Sequence, residues 1–486
     1  MKHRVPFRKF STCLAVVATS LTAVCVFALG GTPLALNPVN PHYFEFRGRP
    51  AVLIGSTEHY GAVLNQDFNY VWYLSTLAAD GLNLTRTFSG AYVEPSGAFN
   101  IASNTLAPAP GRFICPWARS DQPGYANGGN KFDLNRWDDA YFRRLKDFVS
   151  LAGKRGVVVE MNLFCPFYDE SQWRLSPMNA ANNINGVGAI ARTNVYTLDR
   201  HGGLLKVQET LVRKLVTELR GADNLYYEIC NEPYFGGVTI PWQQHIAGVI
   251  NETESGLGCR HLISQNIAND KAKVENPIPE VSVFNFHYAT PPDTVAMNYG
   301  LNKVIGDNET GFNTTNDAPY RIEAWNFLLA GGGLFNHLDY SFVAGREDGT
   351  FVFPNNQPGA GSPALRRQFR FLKEFFDRLD FVRMRPDDGV ILGGVPAGQT
   401  ARALVKPDHL YAIYLSQVAR PWKGPAACGN ATLKLVLPAG AFRAEWFDPV
   451  AGQLIGQRQF DHPGGALAIA SPPYTTDLAL LIIRTR

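Results

Sequence analysis

Residues Tyr226–Pro233 read YYEICNEP, and residues Lys303–Glu309 read KVIGDNE. Each is a short run that can be buried on both faces, and each ends at a carboxylate, Glu232 or Glu309. Runs of this kind are the strands of a parallel sheet whose faces are both covered. If they lie in one such sheet, their C-terminal ends share a rim, and the two carboxylates share it with them. The fold therefore turns on how many more such runs flank them.

Working outward from this pair, the same texture recurs. Ala51–Ser56 (AVLIGS) is a first strand that ends at Glu58, His59 and Tyr60, and Asp67–Asp80 reads as a helix. Leu82–Phe88 (LNLTRTF) is a second strand with Arg86 near its end, followed by a long Gly/Pro/aromatic loop at 89–131. Asp138–Lys154 has the helical period, and Val157–Phe164 (VVVEMNLF) follows as a third strand. A second long loop, 165–198, precedes the helix Leu204–Leu219 and the strand at 225–231. Strands near His261–Asn266, Val281–His287, Lys303–Glu309 and Gly333–Tyr340, with helices at 319–330 and Pro363–Arg378, complete the series. Eight βα units predict a closed (β/α)8 TIM barrel rather than an open sheet. Long loops without regular structure are usually functional. These two either close a cleft into a pocket or deepen a groove.

From about residue 385 the helical period stops, and short β runs with Gly/Pro turns take over. The expected fold class is thus α/β, a (β/α)8 barrel over 36–384 with a small antiparallel β-sandwich over 385–486. Residues 1–35 read as a signal peptide, with Lys2, Arg4, Arg8 and Lys9 before an apolar run from Cys13 to Leu29. A secreted, periplasmic or extracellular protein is expected; an uncleaved N-terminal anchor is the alternative. Four of the 45 basic residues lie in that leader, leaving 41 against 42 acidic, so nucleic acid has no electrostatic footprint here. Of the seven cysteines none forms a CxxC, which argues against a metal cluster. Cys115 and Cys165 are the pair that could staple the two long loops. No cofactor is expected, and one chain is expected to act as a monomer.

Two carboxylates on one rim suit glycoside hydrolysis. One protonates the leaving oxygen; the other attacks the anomeric carbon at about 5–5.5 Å from the first, or activates water when they stand about 6.5–9.5 Å apart. Glu232 is the expected acid/base and Glu309 the nucleophile. Glu58 and His59 read as sugar-hydroxyl contacts or as loop anchors. His287 and Tyr288 end the sixth strand, where the Tyr hydroxyl can reach the nucleophile and the His a substrate hydroxyl. Asn162 is the rim residue of the third strand, with Glu160 below it as a buried partner for Arg86. Glu228 lies one pleat below Glu232, and Asp307 bears the same relation to Glu309. Trp117, Trp137, Phe164, Tyr168 and Trp173 are candidates for stacking on sugar rings, with Trp173 the one assigned to substrate.

Asn-Glu-Pro after the fourth strand, Glu ending the seventh, Arg ending the second and His-Tyr near the sixth resemble the retaining (β/α)8 glycoside hydrolases of the cellulase-like superfamily, clan A and family 5-like. The resemblance covers about 50–380. It implies that Glu232 is the acid/base, Glu309 the nucleophile, Asn231 the contact to the sugar 2-hydroxyl and Arg86 the group orienting Glu309. It also implies an oligosaccharide, polysaccharide or glycoside as substrate. One departure is plain: the eighth strand, GGLFNHLDYSF (332–342), lacks the usual Trp, and Asn336, Asp339, Tyr340 or Phe342 stands in its place. An inverting hydrolase and an exported, non-catalytic carbohydrate-binding protein remain open alternatives.

Overall fold

The computed structural model describes Met1 and residues 31–425 and 429–486; the expected leader and Cys428 lie outside most or all of that range. Eight parallel strands form one sheet: β1 (Leu53–Thr57), β2 (Leu84–Phe88), β3 (Val158–Phe164), β4 (Leu225–Cys230), β5 (Leu262–Asn269), β6 (Val283–His287), β7 (Val304–Thr310) and β8 (Leu334–Leu338). Their order around the sheet is β1-β8-β7-β6-β5-β4-β3-β2. Seven seams are parallel ladders, three of them (β5–β6, β6–β7 and β7–β8) with a shift of register. The eighth, between β1 and β2, is stitched by Asn83, whose side chain accepts from Ile54 N–H at 2.8 Å and donates to the Val52 carbonyl at 2.9 Å. Asn83, immediately ahead of β2, thus adds two side-chain bonds to the one its own backbone N–H makes to the Ile54 carbonyl at 3.1 Å.

The helices are α1 (Tyr70–Ala79), α2 (Asp139–Lys154), α3 (Leu204–Leu219), α4 (Ile240–Leu257), α5 (Asp293–Asn298), α6 (Asp317–Leu329) and α7 (Pro363–Phe376). The count of eight βα units is one helix too many, because residues 270–282 join β5 to β6 without one. Helix α4 is well specified: Thr239 caps it by accepting from Trp242 N–H, a proline sits in its first turn, and Gly258 ends it at φ 68°. Ahead of the barrel, Ala35–Leu36, Phe44–Phe46 and Arg49–Ala51 form a small antiparallel sheet. Leu34 and Phe44 bury themselves against the N-terminal ends of the barrel strands, at Leu53, Leu84, Tyr226 and Leu334.

The C-terminal region forms one curled antiparallel sheet whose long strands are β9 (Gln399–Lys406), β10 (Leu410–Gln417), β11 (Thr432–Asp448), β12 (Gln453–Ala470) and β13 (Asp477–Arg484). Strand alternation splits its side chains cleanly. Tyr411, Ile413, Leu415, Leu478, Leu480 and Ile482 fill its own core with Trp446. Their neighbours Ala412, Tyr414, Ala479 and Leu481 join the barrel core. Trp325 of α6 stacks on Tyr414 with ring centroids 5.1 Å apart, which packs the barrel helix on the C-terminal sheet. Beside it Arg321 of α6 donates to Asp477 through Nε (2.9 Å) and Nη2 (2.7 Å). No helix among the described residues is long and apolar enough to cross a membrane.

Candidate active site

The strand ends bring Glu232 and Glu309 to one cavity of about 640 Å³ at the C-terminal rim of the barrel. One carboxylate oxygen of each, together with a ring nitrogen of His287, lie within 4.8 Å of one another. Glu309 Oε2 accepts from Tyr60 OH at 2.9 Å and Arg86 Nη1 at 3.0 Å, and its Oε1 accepts from Tyr288 OH at 3.1 Å. Glu232 Oε2 accepts from Tyr168 OH at 2.5 Å, and its Oε1 from Tyr234 OH at 3.2 Å. His287 Nδ1 lies between the two acids, 3.1 Å from Glu232 and 3.5 Å from Glu309. Tyr60, Glu232 and Tyr288 all have positive φ (59°, 36° and 55°), a conformation that side-chain-bearing residues rarely adopt and that clusters at functional sites.

A bulge explains how β7 delivers its acid. Phe286 pairs with Asp307 but His287 pairs with Glu309, so Asn308 is an extra residue. Asn308 and Glu309 therefore both reach inward, and Asn308 Nδ2 donates to Glu160 and Glu228 at 2.7 Å each. The simple alternation expected for Asp307 fails for this reason. Asp307 is turned away from the site toward Glu323 of α6, and burial followed by that neighbour's charge pushes its carboxyl well up.

Arg86 is fully buried under the rim and contacts three strands. Besides Glu309 it binds Glu228, donates to Asn231 Oδ1 at 2.8 Å, and sits 3.2 Å from Glu160. Its guanidinium lies over the Tyr60 ring, 4.6 Å from the centroid. Burial would push Glu228 up, but Arg86 and then its other hydrogen bonds hold it below the usual carboxylate range. Glu160 moves the other way: burial and the Glu228 charge push it well up, so it keeps its proton. For His287, burial lowers the pKa, yet Glu309 and Glu232 outweigh it and leave the ring more basic than usual. Burial likewise raises Glu232, but His287, Tyr168 and Tyr234 hold it low.

Of the residues expected to meet substrate, Asn231, Tyr288 and His59 line the cavity, and Arg86 and His287 stand directly behind it. Three do not. Glu58 is buried and accepts from Gly61 N–H (2.9 Å), Ala62 N–H (3.1 Å) and Thr105 OH (2.5 Å), so it anchors the loop after β1. Asn162 lies below Arg86, donating to Glu228 at 3.2 Å. Trp173 packs against Phe167 and donates to the Ile190 carbonyl, because the Asp169 capping box turns its short helix into the loop's own core. Of the five aromatics offered for stacking on sugar rings, Tyr168 lines the cavity, and Trp117, Trp137, Phe164 and Trp173 do not. The staple between Cys115 and Cys165 does not form; both are free buried thiols.

Glu94, Tyr234, Phe99, Phe312 and Arg420 escaped the sequence reading. Tyr234 directly follows Asn-Glu-Pro, which is a usable signal. Glu94 lies six residues past the end of β2, at the start of the long irregular loop, and Arg420 comes from the C-terminal sheet region, over the Tyr288 ring at 5.9 Å. At the eighth strand, Asp339 is taken by Arg366, Asn336 by Thr57, and Phe342 by Tyr73. Tyr340 remains, edge-on to His59 and Phe312, with its hydroxyl unpartnered.

Among the described residues two trios of metal-ligating side chains approach within 4.8 Å, Glu232–His287–Glu309 and Glu254–Cys259–His261. In the second, Glu254 already accepts from His261 Nδ1 (2.5 Å) and its backbone N–H (2.9 Å), which secures the end of α4.

No protein-family model and no curated sequence matches the chain. Solved structures do. A glycoside hydrolase family 5 protein from Bacteroides vulgatus ATCC 8482 is 15% identical with a TM-score of 0.59, over 93% of this chain and 94% of that one. A candidate glycoside hydrolase from the same organism gives 14% and 0.64, over 93% and 82%. A third glycoside hydrolase gives 16% and 0.60, over 93% and 97%. The chain has their fold. The likeness extends over barrel and C-terminal sheet together, and at these identities it concerns architecture alone.

Proposed function

We propose that this protein is a retaining glycoside hydrolase that cleaves β-linked glycosidic bonds by double displacement, with Glu309 as nucleophile and Glu232 as acid/base. The observation that carries the reading is the approach of their carboxylate oxygens to within 4.8 Å, from strands β4 and β7. So close an approach of the nearest oxygens supports direct attack over activation of a water held between the two carboxyls. In the first step a Glu309 oxygen bonds to the anomeric carbon, the bond to the aglycone oxygen breaks, and that oxygen takes a proton from Glu232. In the second, Glu232 removes a proton from water, which displaces Glu309 with a second inversion.

The surrounding groups have matching tasks. Arg86, Tyr60 and Tyr288 fix the Glu309 carboxylate from three directions, so attack costs little reorganisation. Asn231 is placed by Arg86 and by Tyr168, with its amide beside the cavity for a sugar hydroxyl. His287 keeps a proton within hydrogen-bond distance of Glu232 Oε1, which supplies the acid although the free carboxyl is held low. The substrate is an oligosaccharide, polysaccharide or glycoside, handled by a single chain. We also infer export, from the basic and apolar leader; processing ahead of Leu34 leaves that residue's buried contact intact.

The test is the anomeric configuration of the first-formed product by NMR, on aryl β-glycosides and plant or microbial glycans. Retention is expected. Inversion would remove the double displacement, and absence of turnover by folded protein across the panel would remove the hydrolase.

A further inference from the structure

The cavity is closed on one side only. The loops that follow β8, β1 and β2, neighbours around the barrel, are latched to one another. Asn69 N–H donates to Glu347 Oε1 at 2.8 Å, Asn100 Nδ2 to the Asn356 carbonyl at 2.8 Å, and Ala102 N–H to Gln357 Oε1 at 2.9 Å. At the crest of the β2 loop, Phe99 and Asn100 have φ of 54° and 59°, next to Gly97 at 80°. This run of left-handed backbone turns the Phe99 ring out over the cavity. It stands edge-on to Tyr168 at 5.4 Å and to Phe312 at 6.4 Å, rings that belong to the β3 and β7 sides. The cleft is bridged there.

Behind the bridge lie His59 and Glu94. Glu94 is buried, with one donor on each oxygen, Tyr92 OH at 3.0 Å and Asn104 Nδ2. Each carboxylate oxygen can accept again. Burial pushes Glu94 up to about 7 and His59 down to about 4, so near neutrality this corner both offers and accepts protons. His59 Nδ1 has no partner within the protein. Past Glu232 the opposite is found: Tyr234 and Phe235 are 37% and 44% exposed, with Asn269 and Asp270 beside them at the surface.

We propose that the cavity is a blind pocket for the end of a glycan chain, with the terminal sugar under Phe99 and its chain-end hydroxyls bound by Glu94 and His59. The inference rests on the hydrolase reading and adds its mode of action. A sugar within a chain needs an exit on both sides, and the latched loops with the Phe99 ring stand across one of them. The closed side adjoins Tyr60, which holds the nucleophile, so the glycone sits there. The aglycone, which takes its proton from Glu232, leaves over Tyr234 and Phe235. Its volume of about 640 Å³ falls within the range of ligand pockets.

The experiment compares aryl β-oligosaccharides with a free terminal sugar against the same compounds capped by a 4,6-O-benzylidene group. The capped member should fall in kcat/KM by on the order of 100-fold, the loss of two hydrogen bonds at a charged group. Phe99→Ala should return part of that difference. Binding to the Glu309→Gln variant, followed by calorimetry, gives a second readout without turnover. Capped and free compounds cleaved within a few-fold of each other would overturn the chain-end pocket and leave the hydrolase standing. Free compounds bound in preference to capped ones, but never cleaved by the unaltered protein, would keep the pocket and remove the hydrolase. Binding of neither would remove both.

Discussion

Replacing Glu232 by Gln separates the two halves of the proposed reaction. Gln is isosteric and keeps one oxygen for one of the two hydroxyls that now bind Glu232, Tyr168 on Oε2 at 2.5 Å and Tyr234 on Oε1 at 3.2 Å, while its NH2 donates to the other hydroxyl, so the rim should keep its shape. It removes the proton. General acid catalysis contributes about 10²–10⁴-fold, or about 2.7–5.4 kcal/mol of barrier. That is the expected loss on an alkyl glycoside, whose leaving oxygen must be protonated. A dinitrophenyl glycoside leaves as a stable anion, so its first step should run near the unaltered rate. Its second step needs Glu232 as base and should slow by the same 10²–10⁴-fold. The glycosyl-enzyme then accumulates. Stopped-flow release of dinitrophenol should show a burst of one equivalent, and peptide mass mapping should find the sugar on Glu309. Equal losses on both substrates, with no burst, would refute the assignment of Glu232.

Asp477→Asn leaves the Arg321 guanidinium buried without its charge partner, at an expected cost of about 3–5 kcal/mol in thermal or denaturant unfolding; a cost under about 1 kcal/mol would refute the docking role. Glu323 is pushed by burial up to about 7 in the folded chain, against 4.5 for the free group, so its contribution is full below 4.5 and is lost as pH rises through 7. Glu323→Gln should therefore flatten the fall in Tm across that window, and an unchanged slope would count against it. Glu160→Gln should cost under about 1 kcal/mol, because its raised pKa leaves little charge to lose, whereas Glu228→Gln removes one of the two charged partners of Arg86, Glu309 remaining, and should cost about 1.5–3 kcal/mol. Similar melts for the two variants would show that the proton is placed on the wrong acid.

The strand ends were legible because their signal is local. A doubly buried run stops where a polar residue appears, and Arg86, Glu232, His287 and Glu309 each stand at or near such a stop. What lies on a loop depends on what the loop packs against. Trp173 and Glu58 look alike to Tyr168 and Glu94 by residue type, yet a capping box turns the first inward and three donors hold the second. The Phe99 bridge depends on Asn356 and Gln357, some 255 residues away, which no local pattern announces. The bulge at Asn308 is also silent in sequence, since KVIGDNE alternates equally well without it. The helix missing after β5 was counted because the strands on either side imply a crossover, and an irregular segment can make one.

The polar floor beneath the rim explains how two acids can stand so close. Arg86 faces carboxyls from β3, β4 and β7, and one guanidinium cannot balance three charges. Glu160 keeps its proton, which lets Glu228 hold one side of Arg86 and leaves Nη1 for Glu309. His287, made more basic than usual by Glu309 and Glu232, stands 3.1 Å from Glu232 and so holds the proton that general acid catalysis must deliver. Two like charges at this separation repel strongly in a water-poor site, so burial of a glycone that displaces water should draw the proton onto Glu232. The floor thus sets the charge state of the rim before any substrate arrives.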